Sequence, residues 1–270
     1  MKLKNFFMIT FVAVLAAITI SFSTMAANNT VVVTPTNEQG FMDFAGEGGT
    51  VSFVVDPAAP SGSGALRLTT NSSNEAFAQY TKETNTRLRN ITQLSYYTKQ
   101  NSGPSFAAAN FALGVNLTGT GGSTFLIYEP GLQTQTIIPG TFQFQDVDQG
   151  RIYSTQTVTC QNGIIEAAPG GSGTFYTLNQ IKAICPNAVV TLFGVFIGTF
   201  NPNYDVEVDL LNFNGTVFDF EPAGNMPNRP QTKDDCKNGG FAMFTDPTFR
   251  NQGQCIQFVN QREKNKIRRN

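Results

Sequence analysis

The sequence predicts an all-β fold: two sheets stacked as a jelly-roll-like sandwich, with one short helix and a small disulfide-closed helical module at the C-terminus. Two observations carry the sandwich. About a dozen short runs of alternating or continuous apolar residues are separated by glycine-rich and polar turns, a spacing typical of sandwiches. Within them, Ala107–Pro130 reads as a long antiparallel hairpin. Phe111, Leu113, Val115 and Leu117 fall at every second position, Thr118 to Ser123 is a glycine-rich turn, and Phe125 to Tyr128 is a second apolar run. Side chains alternate across a strand, so one face of this hairpin is apolar and needs a second sheet to cover it. A third observation predicts the module: two of the four cysteines follow a proline-rich stretch near the C-terminus. An up-and-down barrel is the alternative closure, and the absence of a fixed repeat period excludes solenoids and propellers.

Taken in order, residues 1–26 have the build of a secretory signal peptide. Lys2 and Lys4 precede an apolar run from Phe6 to about Ile20, and small residues lead to Ala26. Ser21, Ser23 and Thr24 follow the run in place of a basic stop, which favours cleavage over anchoring. The mature chain is then expected to be secreted, extracellular or at a cell surface.

The body, 27–221, supplies the strands. Val31–Val33, Gly40–Phe44, Thr50–Val55, Ala65–Thr70, Ala76–Thr81 and Ile91–Lys99 are expected strands, with Asp56–Gly64 as a loop and Thr84–Asn90 lying between the last two strands. In Ile137–Asp146, Phe142 and Phe144 alternate with Gln143 and Gln145, and the phenylalanines are assigned to the core. Thr177 is placed to cap a helix over Leu178–Ile184, which stops at Cys185-Pro186. Val189–Phe200, Asp205–Phe213 and Thr216–Phe220 complete the strands. A linker follows at 222–231, then the module at 232–262 and a basic tail at 263–270. In the module Thr232 and Asp235 have capping-box spacing, and a helix capped by Asn251 would place Cys255, Phe258, Val259 and Arg262 on one face.

Composition limits the partners. The formal charge of −1 combines an acidic body with a tail holding Arg262, Lys264, Lys266, Arg268 and Arg269. An acidic body argues against nucleic acid, whose phosphates need a basic face. No later stretch is long and apolar enough to span a membrane, and the polar surface suits an extracellular glycan or cell-surface component.

Cys160, Cys185, Cys236 and Cys255 lie behind a secretion signal, where oxidation is expected. Three pairings are open. Neighbours in sequence close the shortest loops, and the proline-rich stretch separates one pair from the other, which favours Cys160–Cys185 and Cys236–Cys255. Zinc has no Cys-x-x-Cys pair to bind, and the chain contains no histidine.

The missing histidine also excludes Ser-His-Asp and Cys-His nucleophile systems. Two-carboxylate glycoside hydrolysis remains open, and Asp205, Glu207 and Asp209 alternate along one strand. Glu207-Val-Asp209 resembles the first half of the catalytic strand of laminarinase-type, concanavalin-like sandwich glycosidases. The position of their last glutamate holds Leu211 or Asn212 here, and the chain has no tryptophan. The pattern is therefore assigned to a solvated strand face, and no enzyme activity, catalytic residue, cofactor or metal is expected. A calcium ion between first and last strands would need Asp43, Glu47 and Asp219 to meet, and no calcium-loop spacing supports it. Candidate ligand-binding residues are the tyrosines with polar neighbours: Tyr96, Tyr97, Tyr128 and Tyr153, with Tyr204 beside them. On or near the hairpin side opposite Phe111 lie Ala109, Asn110, Ala112, Gly114 and Asn116, and this side is the expected floor of a binding surface.

Cys236-Lys-Asn-Gly-Gly-Phe241, followed by Phe249-Arg-Asn-Gln-Gly-Gln-Cys255-Ile-Gln-Phe-Val259, resembles a C-terminal signature of secreted bacterial β-sandwich proteins of uncharacterised activity. Gly64–Leu68, Leu94–Tyr97, Phe125–Pro130, Gly140–Phe144 and Asp219–Pro222 are similar to the body of that group. The resemblance implies a location and a fold, and no reaction. The expected role is a secreted, non-catalytic binding or surface protein, with carbohydrate as the leading ligand. The alternatives are the glycosidase above and a structural envelope or matrix component.

Overall fold

The computed structural model describes residues 29–117, 122–168, 172–222, 230, 232–237, 240–244 and 247–267. The signal segment 1–26, hairpin residues 118–121, most of the linker 222–231 and the last three residues of the basic tail lie outside the described residues. Numbered in chain order, the strands are β1 (Asn29–Val33), β2 (Phe41–Gly46), β3 (Thr50–Val55), β4 (Gly64–Thr69), β5 (Phe77–Arg87), β6 (Leu94–Ser102), β7 (Asn110–Leu117), β8 (Gly122–Tyr128), β9 (Gln143–Asp146), β10 (Ile152–Ser154), β11 (Val158–Cys160), β12 (Gly163–Ile165), β13 (Val189–Ile197), β14 (Asp205–Phe213) and β15 (Thr216–Phe220). Among the described residues two α-helices accompany them, α1 (Leu178–Ile184) and α2 (Gln252–Ile267).

Six strands form one antiparallel sheet in the order β10-β8-β7-β13-β5-β2. The other sheet has seven strands around β14. Along one side of β14 runs β6, followed by β9; along the other lie β4 and β3 beside its first half, then β15 and β1 beside its second half. The chain bulges at the point where β4 gives way to β15, and Leu210 there adopts φ 48°. The parallel β1–β15 pair brings the N-terminal strand onto the last one.

The predicted hairpin is β7–β8, and its apolar face lies between the sheets as the alternation requires. Phe111, Leu113 and Val115 meet Leu66, Leu68, Val206 and Val208 from the opposite sheet within one core. Aromatic rings knit the centre: Phe193 stacks on Phe213 at 3.9 Å and Phe41 on Tyr80 at 5.0 Å. Each such buried side chain stabilises the fold by roughly 1.5–3 kcal/mol. Thr177 caps α1 through a reciprocal pair with Gln180, and Cys160–Cys185 ties the C-terminal end of that helix to β11. Cys236–Cys255 closes the module around Phe244 and Val259. Thr232 and Asp235 cap each other reciprocally as predicted, but the turn that follows is 3-10, Asp234–Cys236.

Two expectations are corrected. The strand expected at Ala76–Thr81 continues to Arg87 as β5, pairing with β13 on either side of a bulge, and Leu88–Asn90 follows as a 3-10 turn. In β9 the glutamines turn inward and Phe144 turns out: Gln145 is fully buried and accepts the Tyr128 hydroxyl at 3.0 Å. Gln143 accepts Ile138 N–H at 2.6 Å and donates to Thr136 C=O at 2.8 Å. Alternation gives two faces but not which one is inside, and here buried amides with complete partners outcompete the rings. The second helix, α2, runs on into the basic tail as far as Ile267. Lys, Arg and Glu are good helix formers, and cations suit a helix C-terminus.

Candidate functional site

The outer face of the six-stranded sheet carries a trough that register alone defines. Met42, Thr81, Gly194, Ala112, Ile127 and Tyr153 stand side by side, one from each strand. The middle of this row is low, because Gly194 has no side chain and Ala112 only a methyl. A side chain at Gly194 has no room: its Cβ would lie 2.2 Å from Tyr80 C=O. On one flank Phe44, Gln79 and Phe196 form the neighbouring row, and on the other Glu83, Leu192, Gly114 and Phe125. A pocket of about 190 Å³ opens over this floor and is bounded by Phe125, Ile127, Tyr153, Leu192 and Phe196, with Gln79, Thr81 and Thr155 as hydrogen-bonding edges. Large apolar side chains stay uncovered along the row: Phe125 is 44% exposed, Met42 52% and Phe44 63%.

Tyr153 closes the trough at β10. Its ring meets Phe175 edge-on at 6.2 Å, and its hydroxyl donates to Glu129 Oε2 at 3.3 Å. The Arg151 guanidinium lies 3.9 Å above the Phe175 ring and donates to Leu132 C=O, so this end is held rigid. Burial raises the Glu129 carboxyl, partly offset by the Tyr153 hydrogen bond.

The structure separates the other tyrosines. Tyr96 and Tyr128 lie between the sheets, with hydroxyls spent on Ala109 C=O at 2.6 Å and on Gln145, so neither reaches a solvent-facing surface. Burial, reinforced by Tyr128 and Glu129, raises the Tyr96 hydroxyl far above its ordinary range. Tyr97 lies on the outer face of the seven-stranded sheet, its ring 5.3 Å from Phe144. Tyr204 is buried beside Phe106. Of the predicted tyrosines, only Tyr153 stands in the trough. Gln79, Thr81, Leu192 and Phe196 were missed, and the one available signal was the small residues Ala112, Gly114 and Gly194 in otherwise apolar strands.

The outer face of the seven-stranded sheet is a closed polar ladder. Ser52, Arg67, Glu207 and Lys99 are register neighbours across β3, β4, β14 and β6. Arg67 grips Asp205 through Nε at 2.8 Å and a second hydrogen bond from Nη2; Asn101 donates to Glu207 Oε1 at 2.7 Å. Lys99 Nζ lies 2.8 Å from Glu207 Oε2 and is also bonded to Asp56. Burial would raise Asp205 and Asp56, but the Arg67 and Lys99 contacts respectively leave both below their ordinary range. Burial leaves Glu207 raised despite Lys99 and Asn101.

This corrects the expectation of a solvated strand face. Asp209 is 0% exposed, covered by the loop that joins β3 to β4. Its Oδ1 accepts Leu210 N–H at 2.7 Å and Phe220 N–H at 3.1 Å, and its Oδ2 accepts Ser61 N–H at 3.3 Å. Burial and the Asp219 charge still push it up to about 8. Asp219 binds Ser61 Oγ at 2.9 Å, and Glu221, raised by burial to about 7, accepts Ser63 N–H at 2.9 Å. Asp219 therefore meets Asp209 and the Ser61 loop, while Asp43 belongs to β2 of the other sheet and Glu47 to the turn after it. Among the described residues no group of three or more His, Cys, Asp or Glu is arranged to hold a metal ion.

No family model matches the chain, and no curated protein is significantly similar to it. Among solved structures it is similar to a family 11 carbohydrate-binding module from Clostridium thermocellum in complex with a mixed-linked tetrasaccharide. Identity is 11% and the TM-score 0.39, over 66% of this chain and 91% of that one. It is also similar to the xylan-binding CBM22-1 domain from Paenibacillus barcinonensis, at 12% identity and a TM-score of 0.34, over 65% of this chain and 85% of that one.

Proposed function

We propose that this protein is a secreted, non-catalytic carbohydrate-binding protein whose trough on the six-stranded sheet receives the glycan. The observation that carries the reading is the row from Met42 to Tyr153, an apolar floor with amide and hydroxyl edges left open to solvent. Sugar rings present C–H faces to aromatic and aliphatic surfaces and hydroxyls to neighbouring amides, and Phe125, Phe196, Gln79 and Thr81 supply both. The carboxylates that hydrolysis would require are engaged elsewhere: Glu207 is tied to Lys99 and Asn101, and Asp209 is closed off beneath the Ser61 loop. No helix among the described residues is long and apolar enough to cross a membrane. Both disulfides suit an oxidising compartment.

Affinity electrophoresis against a panel of neutral and acidic polysaccharides tests the reading. Retardation by at least one neutral polysaccharide, lost in Phe125→Ala/Phe196→Ala, is the expected result. Mobility unchanged by every polysaccharide overturns it.

A further inference from the structure

We infer that the glycan site extends beyond the pocket onto edge strand β2 and takes one uncharged saccharide chain lying across all six strands; this rests on the trough being the glycan site. The pocket itself reaches only from Thr155 to Gln79. The register row continues past it through Thr81 to Met42, and the flanking row continues through Gln79 to Phe44. At the far end Phe44 meets Phe77 at 5.3 Å, a second aromatic surface separated from Phe125 and Tyr153 by the low Gly194–Ala112 floor. Both Met42 and Phe44 are more than half exposed although they sit on an edge strand, where exposed apolar residues invite unwanted strand pairing. Their retention there is accounted for by a ligand that covers them.

Length and charge define the occupant. Six strands at ~4.8 Å spacing make a row of ~24 Å, and because a pyranose in an extended chain advances by about one strand spacing, roughly five rings fill it. A monosaccharide would touch one aromatic end and leave the other bare. Among the three rows of side chains the one charge is Glu83, and the cation at the Tyr153 end, Arg151, is stacked on Phe175 and bonded to Leu132 C=O, so an acidic chain meets repulsion that this cation only partly offsets, and a neutral chain does not.

Isothermal titration of the mature protein with cello-, xylo-, manno- and laminari-oligosaccharide ladders tests this, with sedimentation velocity on the same samples. In at least one ladder, affinity is expected to rise with each added ring and level off at roughly five rings, one per strand of the row. Phe44→Ala is expected to weaken the longest chains about tenfold and leave disaccharides unchanged, whereas Phe125→Ala weakens every length. Full affinity already reached by a disaccharide, or long-chain binding indifferent to Phe44→Ala, overturns the extended site while leaving the trough itself standing. Self-association abolished by Phe44→Ala, with oligosaccharide affinity unchanged, assigns β2 to contact between copies and overturns it too. No binding of any neutral oligosaccharide or polysaccharide overturns both readings.

Discussion

The two outer faces of the sandwich are built from the same period-two alternation, yet one is chemically closed and the other open. On the seven-stranded sheet the ladder side chains engage one another: Arg67 with Asp205, Lys99 with Asp56 and Glu207, Asn101 with Glu207. The six-stranded sheet exposes Phe44, Met42 and Phe125 beside Gln79 and Thr81, side chains with surface and hydrogen-bonding capacity to spare. A face whose groups satisfy one another contributes to stability, and a face whose groups do not is free to recognise something else.

This contrast breaks most sharply at Lys99. Removing the ammonium in Lys99→Met leaves Asp56 and Glu207 largely buried without their cation, a loss of about 3 kcal/mol in chemical denaturation, with trough binding unaltered. If stability stays at the parental level, the ladder is ornamental and the contrast fails.

The pH profile is the next largest effect. Asp209 and Glu221 hold protons in the folded state up to about 8 and about 7, above their unfolded values. Their contribution is fully present below an unfolded pKa of about 4 and is lost as pH rises through those folded values. Asp56 and Asp205 are shifted down, so their contribution is present above about 4 and lost on further acidification. Thermal unfolding is therefore expected to be latest near pH 4–5 and to come earlier towards pH 9, with Asp209→Asn flattening the alkaline side. A midpoint that climbs steadily from pH 5 to 9 would contradict the buried-carboxyl account.

Smaller effects sharpen the picture. Arg67, 40% exposed at its side chain, should cost only about 1 kcal/mol on change to Ala. Phe125→Ala should cost less than about 1 kcal/mol of stability, since its ring is nearly half exposed, while weakening glycan retention. Phe144→Ser on the ladder side should change neither measurably, and a loss of binding there would move the site to the wrong sheet.

Legibility in the sequence followed the range of the interaction. The β7–β8 hairpin, the Thr177 cap and the strand at β14 are local patterns, and the structure forms each of them. The Cys160–Cys185 and Cys236–Cys255 pairings followed from loop length and are those observed. The candidate site was legible only as small residues at Ala112 and Gly114; Phe196, Gln79 and Phe44 join it from strands far apart in the chain, through register that one sequence does not display.

What the sequence determined by itself is the β alternation, the turn positions, the oxidisable cysteines and the exclusion of histidine chemistry, because each depends on residue type and near neighbours. Tertiary structure decided which side of each strand faces inward. In β9 the inward side belongs to Gln143 and Gln145, since Tyr128 and the 136–138 backbone complete their amides, and Phe144 is left outside. At the Asp209 end of β14 the acidic side is roofed by the Ser61 loop, whose Ser61 and Ser63 N–H groups meet Asp209 and the nearby Glu221, carboxylates that would otherwise face water. Side-chain period sets two faces; only the partner laid against each face decides which is buried.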